Sequence, residues 1–290
     1  MASNALILAQ LARSDQRRKL ALTVPALAVV GIALFIPLGW LLYLSFVGPH
    51  GFTLAHYQEV LKRQAYLGYL EATFELALLS TLFSIALAYP ICYAMVTLRR
   101  GFGMLLFTCV ISSFFASILV RTYAWLLLLQ RSGVINTILL QHAWISRPLE
   151  LVYNMQGTAI GMVNILLPLI VLPLYTSMKG VDMNLVLAAK GLGASPARAF
   201  RSIFLPLSLP GLIAGMILAF VASIGFYLTP AMLGGGRIVV WATAVATAVD
   251  QDPQMGTASA LGIILFVLTF SVLLLLKRLF GAKNLLPRSA

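Results

Sequence analysis

Apolar residues run along this chain in six long stretches, 21–46, 72–98, 103–129, 157–178, 205–227 and 255–276, divided by shorter segments that hold most of the charge. A bilayer core about 30 Å thick is crossed by roughly 20 apolar residues in a helix, and every stretch reaches that length. The pattern predicts an all-α integral membrane protein with six transmembrane helices. The third stretch is the least regular, because Arg121 interrupts it. Pro25, Pro37, Pro90, Pro168, Pro173, Pro206 and Pro210 lie within or at the edge of spans. Neighbouring helices re-satisfy the carbonyls that proline frees inside a membrane, and proline bends helices, which suits a bundle that opens and closes. The first stretch follows a basic segment (Arg13, Arg17, Arg18, Lys19), as a signal peptide would. It runs well beyond the roughly 7–15 apolar residues of a signal core, so a retained helix is expected.

Charge orients the spans. Of 20 lysines and arginines, fourteen fall on one side if the N-terminus is inside: Arg13, Arg17, Arg18, Lys19, Arg99, Arg100, Lys179, Lys190, Arg198, Arg201, Lys277, Arg278, Lys283 and Arg288. Six remain outside: Lys62, Arg63, Arg121, Arg131, Arg147 and Arg237. Basic residues collect in cytoplasmic loops, so both termini are expected in the cytoplasm. The expected divisions are a cytoplasmic N-terminal segment at 1–20, a six-helix domain at 21–276 with a long inner loop at 179–204, and a cytoplasmic tail at 277–290. Acidic residues lean outward: Glu59, Glu71, Glu75, Glu150, Asp250 and Asp252, against Asp15 and Asp182 inside.

Composition narrows the function. The 290 residues are 61% hydrophobic and 10% charged, where soluble domains carry roughly 25% charge. The net charge of +12 sits in short loops, as orientation signals do, and does not build a nucleic-acid face. Cys92 and Cys109 lie in apolar runs and read as small buried hydrophobes, with no metal or redox spacing. No G-x-x-x-x-G-K-[ST] loop occurs to cradle ATP phosphates. His50, His56 and His142 are scattered in outer loops, and no nucleophile–base arrangement is evident. The expectation is a protein that is not an enzyme, with no metal and no cofactor of its own.

The inner loop is different in kind. Met183–Lys190 is rich in strong helix formers. Gly191 and Gly193 follow, and glycine reaches positive φ freely. Ser195-Pro196 reads as an N-cap with proline at the first helical position, and the helix continues through Phe204 into the fifth span. The predicted shape is helix, glycine hinge, helix, with Lys190, Arg198 and Arg201 facing the cytosol or a partner.

Within this segment Ala188-Ala189, Gly193, Ile203 and Leu205-Pro206 stand at the spacing of the "EAA" loop, which resembles that of binding-protein-dependent ABC importer permeases. Leu187 stands where that family has Glu. Further strings are similar to the spermidine/putrescine branch and its first permease subunit: Arg121-Thr122-Tyr123-Ala124-Trp125 with Gly133-Val134-Ile135-Asn136, Leu172-Pro173-Leu174-Tyr175, Pro210-Gly211-Leu212-Ile213-Ala214-Gly215, and Gly225-Phe226-Tyr227 with Leu233-Gly234-Gly235. The resemblance implies the type I importer permease fold with cytoplasmic coupling helices, in the bacterial inner membrane. It implies a heterodimer with a second related permease and two copies of a cytoplasmic ATPase that carries the ATP and Mg. A periplasmic or extracellular solute-binding protein would dock outside, and polyamine is the implied cargo. It assigns ATPase coupling to Leu187, Ala188, Ala189, Lys190, Gly191, Gly193, Arg198, Arg201, Ile203, Leu205 and Pro206. Because leucine cannot make the ionic contact of the family's Glu, apolar burial and the basic residues would hold the ATPase here.

Substrate-pathway candidates come from chemistry at the outer ends of spans. Glu71 and Glu75 are four apart and share a helix face. They would attract an amine if that face lines a pathway, or would be simply solvated if the span starts later. Tyr123, Trp125, Phe226 and Tyr227 would hold an ammonium by cation–π attraction or form the interfacial aromatic belt. Arg121 would pair with Glu150 or a partner subunit, or reach to the headgroups. Gly234, Gly235, Asp250 and Asp252 are candidates for contact with the binding protein. Other amine-bearing or amino-acid-like solutes remain open as cargo. An ion-gradient transporter is the rival mechanism, but it would need midplane ionisable groups, and no clear span has an acidic residue at its centre.

Overall fold

In the computed structural model, residues 2–48, 51–252 and 255–284 are described, with side chains from Thr23 to Phe280. Arg13, Arg17, Arg18, Lys19, His50, Lys283 and Arg288 therefore lie outside the described side chains. Helix α1 (Ala2–Ser45) is one rod that passes through Pro25 and Pro37. The expected division at residue 20 is not a break in structure. A two-residue hairpin pairs Val47 with Phe52, and α2 (Ala55–Lys62) leads into α3 (Gln64–Thr97). Helix α3 begins eight residues before the predicted span, so Glu71 and Glu75 are helical and not part of a loop.

The third span departs most from expectation. It is two helices, α4 (Arg100–Phe115) and α5 (Ile118–Leu129), with Ala116 and Ser117 extended between them at ψ 141° and 137°. At 1.5 Å per residue they measure about 24 Å and 18 Å, so they cross together. By apolar length alone, Ile118–Gln141 is the segment long enough to span here. The crossing is better assigned to α4 plus α5, because α4 starts at the end of the bundle where α3 and α7 finish. After α6 (Val134–Gln141) comes α7 (Met155–Lys179), then α8 (Met183–Gly191) and α9 (Pro196–Ala199). A π-helical turn at Phe200–Phe204 joins α9 without interruption to α10 (Leu205–Ile224). Short helices α11 (Leu228–Gly234) and α12 (Trp241–Gln251) precede α13 (Gly256–Asn284).

Helix α7 is the axis of the bundle, with α3 and α10 packed along it. Met162, Leu166, Ile170, Leu174 and Met178 of α7 are fully buried against Leu76, Ala88 and Cys92 of α3 and Ala219 of α10. Lipid is as apolar as leucine, so helices associate in a membrane by close packing of small residues. Gly211 and Gly215 of α10, four apart, let that helix press onto α7: a Cβ at Gly215 would come within 2.9 Å of the Ile170 Cα. The α3 face that meets this core carries Ser80 and Ser84. Their hydroxyls donate to the carbonyls of Leu76 and Ser80, both at 2.6 Å, and so bring no unpaired polar group inside. Helix α1 by contrast exposes almost its whole described length and touches mainly α13.

Candidate functional site

Arg99, Arg100, Lys179, Lys190, Arg198 and Arg201 gather at one end of the bundle, here called the basic end. Helix α8 begins with Asp182 as N-cap, its carboxylate accepting from the Asn184 N–H at 2.9 Å. It ends in a Schellman arrangement: Ala194 N–H donates to the Ala189 carbonyl and Gly193 N–H to the Lys190 carbonyl, both at 3.0 Å. Gly193 has φ +89°, which side-chain-bearing residues resist. Gly191 is the last residue of α8, so the turn rests on Gly193 and not on both glycines. Ser195 Oγ then accepts from the Arg198 N–H at 3.3 Å, with Pro196 opening α9.

The two faces of this unit differ. Val186, Ala199 and Phe204 are buried in the main core, and Ala189, Phe200 and Ile203 pack against it. Phe200 and Phe204 stack at 5.8 Å and both meet the Tyr93 ring edge-on, at 5.5 and 5.2 Å. Tyr89 lies 6.1 Å from Phe200, and its hydroxyl hydrogen-bonds Ser208 Oγ at 3.0 Å. The π-helical turn accommodates Pro206, whose missing N–H and ring conflict with an α-helical bond to Ser202. On the outward face Met183 and Leu187 share a helix side, and Leu187 is 61% and Leu192 91% exposed. Ala188, Lys190, Gly191, Gly193, Arg198, Arg201 and Pro206 are exposed too, while Leu205 is half-buried. Tyr89, Tyr93, Phe200 and Phe204 were not singled out from sequence. An aromatic in a mostly apolar span carries no local mark of its contacts.

At the opposite end, single polar side chains tie segments that also bury Leu233 and Trp241. Asn136 is fully buried; its amide donates to the carbonyls of Gln130 and Leu149 at 3.0 Å, and its oxygen accepts from Leu149 N–H at 2.7 Å. Thr122 and Thr229 join hydroxyls at 3.2 Å and tie α11 to α5. Trp241 N–H donates to Thr73 Oγ1 at 2.8 Å, and its indole N–H to the Leu261 carbonyl at 3.0 Å. Glu150 pairs with Arg131 and not with Arg121. Two Arg121 guanidinium nitrogens are shut from solvent without a hydrogen-bond partner among the described residues.

A cavity of about 420 Å³ opens between α3, α5 and α7, lined by Phe83, Leu87, Trp125, Ile160, Asn164 and Leu167 among others. Trp125 is thus the one aromatic candidate that lines it. Tyr123 faces a shallow apolar surface with Leu119 and Met232, Phe226 packs on the core, and Tyr227 is exposed beside α11. Asn164 was missed from sequence; its amide makes no side-chain hydrogen bond among the described residues. Ala86 also lines the cavity. Glu75 lies three helical turns, about 16 Å, away on the same face of α3. Glu71 and Glu75 are both exposed and do not line the cavity. Gly234 is buried and its carbonyl is bonded by Arg237 and Ile238 N–H, whereas Gly235 is exposed at φ +53°. Asp250 is exposed at the end of α12. Asp252 accepts from Thr257 N–H at 2.9 Å, capping the start of α13.

Residues 19–282 match the family described as the binding-protein-dependent transport system inner membrane component. The chain is 33% identical over 186 residues to the spermidine/putrescine transport system permease protein PotB of Escherichia coli K12, covering 64% of this chain and 67% of that one. It is 28% identical over 212 residues to PotB of Haemophilus influenzae, covering 72% of each. In fold it is similar to a chain of a bacterial alginate ABC transporter solved with an alginate pentasaccharide-bound periplasmic protein, at TM-score 0.71 and 16% identity over 92% of this chain and 96% of that one.

Proposed function

Starting from the family to which this chain belongs, the binding-protein-dependent transport system inner membrane components, we propose that this ABC importer permease subunit admits a polyamine or similar small organic polycation, driven by a separate ATPase that grips residues 183–206. A permease of this family is a multi-pass inner-membrane protein, not an enzyme, and works with an ATPase and a solute-binding protein. The basic end faces the cytoplasm in this reading, in keeping with the positive-inside distribution. Two ATPase copies hold ATP and Mg below a heterodimer of this chain with a second permease.

One observation carries the coupling role. Helices α8 and α9 are locked to the core through one face and leave Met183, Leu187 and Leu192 bare on the other. Such an apolar, cation-rimmed face fits a groove on a partner. Because helical structure is unbroken from Pro196 to Ile224, a displacement of α9 is passed along α10 to the opposite end. Binding energy at the inner face thereby biases the inward and outward states, each ligand acting only through its differential affinity for the two.

The cargo reading rests on the relatives and on the cavity. Trp125 offers an aromatic face and Asn164 a carbonyl oxygen, while the exposed Glu71 and Glu75, further along the α3 helix that lines the cavity, add negative charge that attracts cations. Proteoliposomes containing the assembled transporter and its binding protein should take up labelled spermidine only with ATP inside. Uptake by this chain alone on a sodium or proton gradient would sink the mechanism. Trp125→Leu should raise KM for spermidine by up to about 30-fold, the equivalent of a cation–π contact of up to about 2 kcal/mol. An unchanged KM would remove Trp125 from the pathway.

A further inference from the structure

At the basic end a second cavity, about 670 Å³, lies between α3, α4 and α7. Two cations, Arg100 and Lys179, line it, and its other walls are apolar, among them Met95, Leu98, Met104 and Phe107. Lys179 Nζ stands 5.9 Å over the Tyr175 ring, which also borders the cavity. Neither cation has an acidic partner among the described residues. The nearest acid in sequence, Asp182, is occupied in capping α8. Helix α4 comes so close to α3 that a Cβ at Gly103 would collide with the Met95 carbonyl. The two helices meet there and diverge around the groove. On α4 the apolar surface continues outward through Phe102, Met104 and Leu105, all more than half exposed.

We propose that this groove binds an anionic phospholipid of the inner leaflet, its phosphate held between Arg100 and Lys179 and its acyl chains laid along Met104 and Phe107. Charge and shape both favour that occupant. Basic pockets between helices at the cytoplasmic surface suit anionic headgroups, and only a ligand with an apolar tail uses the rest of the wall. A soluble phosphate would use the cations alone. An acidic segment of the ATPase would leave an apolar groove open beneath it. The ligand would brace the inner end of α7, three residues before the Asp182 cap, and so steady the mount of α8. The leaflet rests on the orientation proposed above, but binding itself does not.

The test uses the assembled transporter in nanodiscs of zwitterionic lipid doped with phosphatidylglycerol, which is present in both leaflets. Native mass spectrometry after mild delipidation reads the retained lipid. The wild type should retain phosphatidylglycerol in preference to the zwitterionic lipid. The double variant Arg100→Gln/Lys179→Gln should hold it about 30-fold more weakly, two cations' worth of attraction. Arg100→Lys should restore most of the retention, which separates charge loss from misfolding. Equal retention by wild type and double variant overturns the proposal. So does loss of the ATPase from the double variant with lipid retention intact, which would assign the groove to the ATPase. Displacement of the lipid by millimolar inorganic phosphate as readily as by phosphatidylglycerol vesicles would reduce the site to an anion site without a lipid role. Failure of spermidine uptake with lipid retention intact would count against the transport reading and leave this one standing.

Discussion

At the basic end, α8 and α9 are fastened by rings and aliphatic side chains: Phe200 and Phe204 against Tyr93, Val186 and Ala199 in the core. At the opposite end, α11, α12 and residues 130–149 add directional polar ties to apolar packing that includes the buried Leu233 and Trp241: Thr122 to Thr229, Thr73 to Trp241, and Asn136 to its two carbonyls. Apolar packing has no preferred direction and is spread over many atoms, so it carries a push without depending on any one contact. A hydrogen bond in a low-dielectric interior is directional, and a buried group left without its partner costs free energy. The attachment at the basic end is thereby a mount spread over many contacts. The attachment at the opposite end adds discrete, directional latches to its apolar packing.

The largest effect should come from destroying the turn between α8 and α9. Gly193→Pro imposes a negative φ where +89° is found and deletes the N–H bonded to Lys190. Spermidine uptake in proteoliposomes should be abolished, with membrane insertion and binding-protein docking unchanged. Uptake at the wild-type rate would refute the lever. Phe204→Ala should come next, costing about 3–5 kcal/mol as a buried aromatic. It would appear as a lower thermal midpoint of the detergent-solubilised complex and as ATP hydrolysis no longer stimulated by loaded binding protein. If hydrolysis stays coupled, the aromatic mount is dispensable.

A latch should cost less than the mount. Thr73→Val removes the acceptor of the buried Trp241 N–H, a loss of about 1–3 kcal/mol. It should loosen α12, read as faster hydrogen exchange in residues 241–251, while residues 183–204 stay protected. Exchange spreading equally to both ends would erase the distinction between mount and latch. The smallest effect should be that of Leu187→Glu. Leu187 is 61% exposed, so folding should change within about 0.5 kcal/mol, and ATPase affinity measured by pull-down titration should hold or rise. Loss of assembly would mean that the partner groove is apolar at this point and cannot accept the charge.

Much of this was legible along the chain, for reasons that differ by region. Apolar length is a local quantity, and five of the six spans fall close to where it put them. The start of α3 is missed because Gln64 to Leu70 is mixed in polarity yet continues the helix. The third span is found but its break is missed, because nothing in Phe115-Ala116-Ser117-Ile118 compels one; Ala116 and Ser117 are extended in the fold for a reason that composition does not carry. The turn between α8 and α9 was readable in detail, since Ser195, Pro196 and Gly193 each impose a backbone requirement of their own. The lining of the cavity between α3, α5 and α7 was readable only in part. Trp125 lines the cavity and Tyr123 does not, although they are two residues apart, because that choice depends on how α5 is rotated against α7.

The sequence by itself determined what a residue does to its own backbone and what a run of residues does in lipid: the helices, their caps and the Gly193 turn. Only the tertiary structure decided which sides of those helices meet. It brought Phe200 and Phe204 under Tyr93, gathered Trp125 with Asn164, sent Glu150 to Arg131 and left two Arg121 guanidinium nitrogens without a partner among the described residues. The physical reason is the solvent. In a membrane every face of a helix is apolar enough to be outside, so hydropathy no longer separates core from surface. The choice passes to steric fit at small residues such as Gly211 and Gly215, and that fit exists only between helices already side by side.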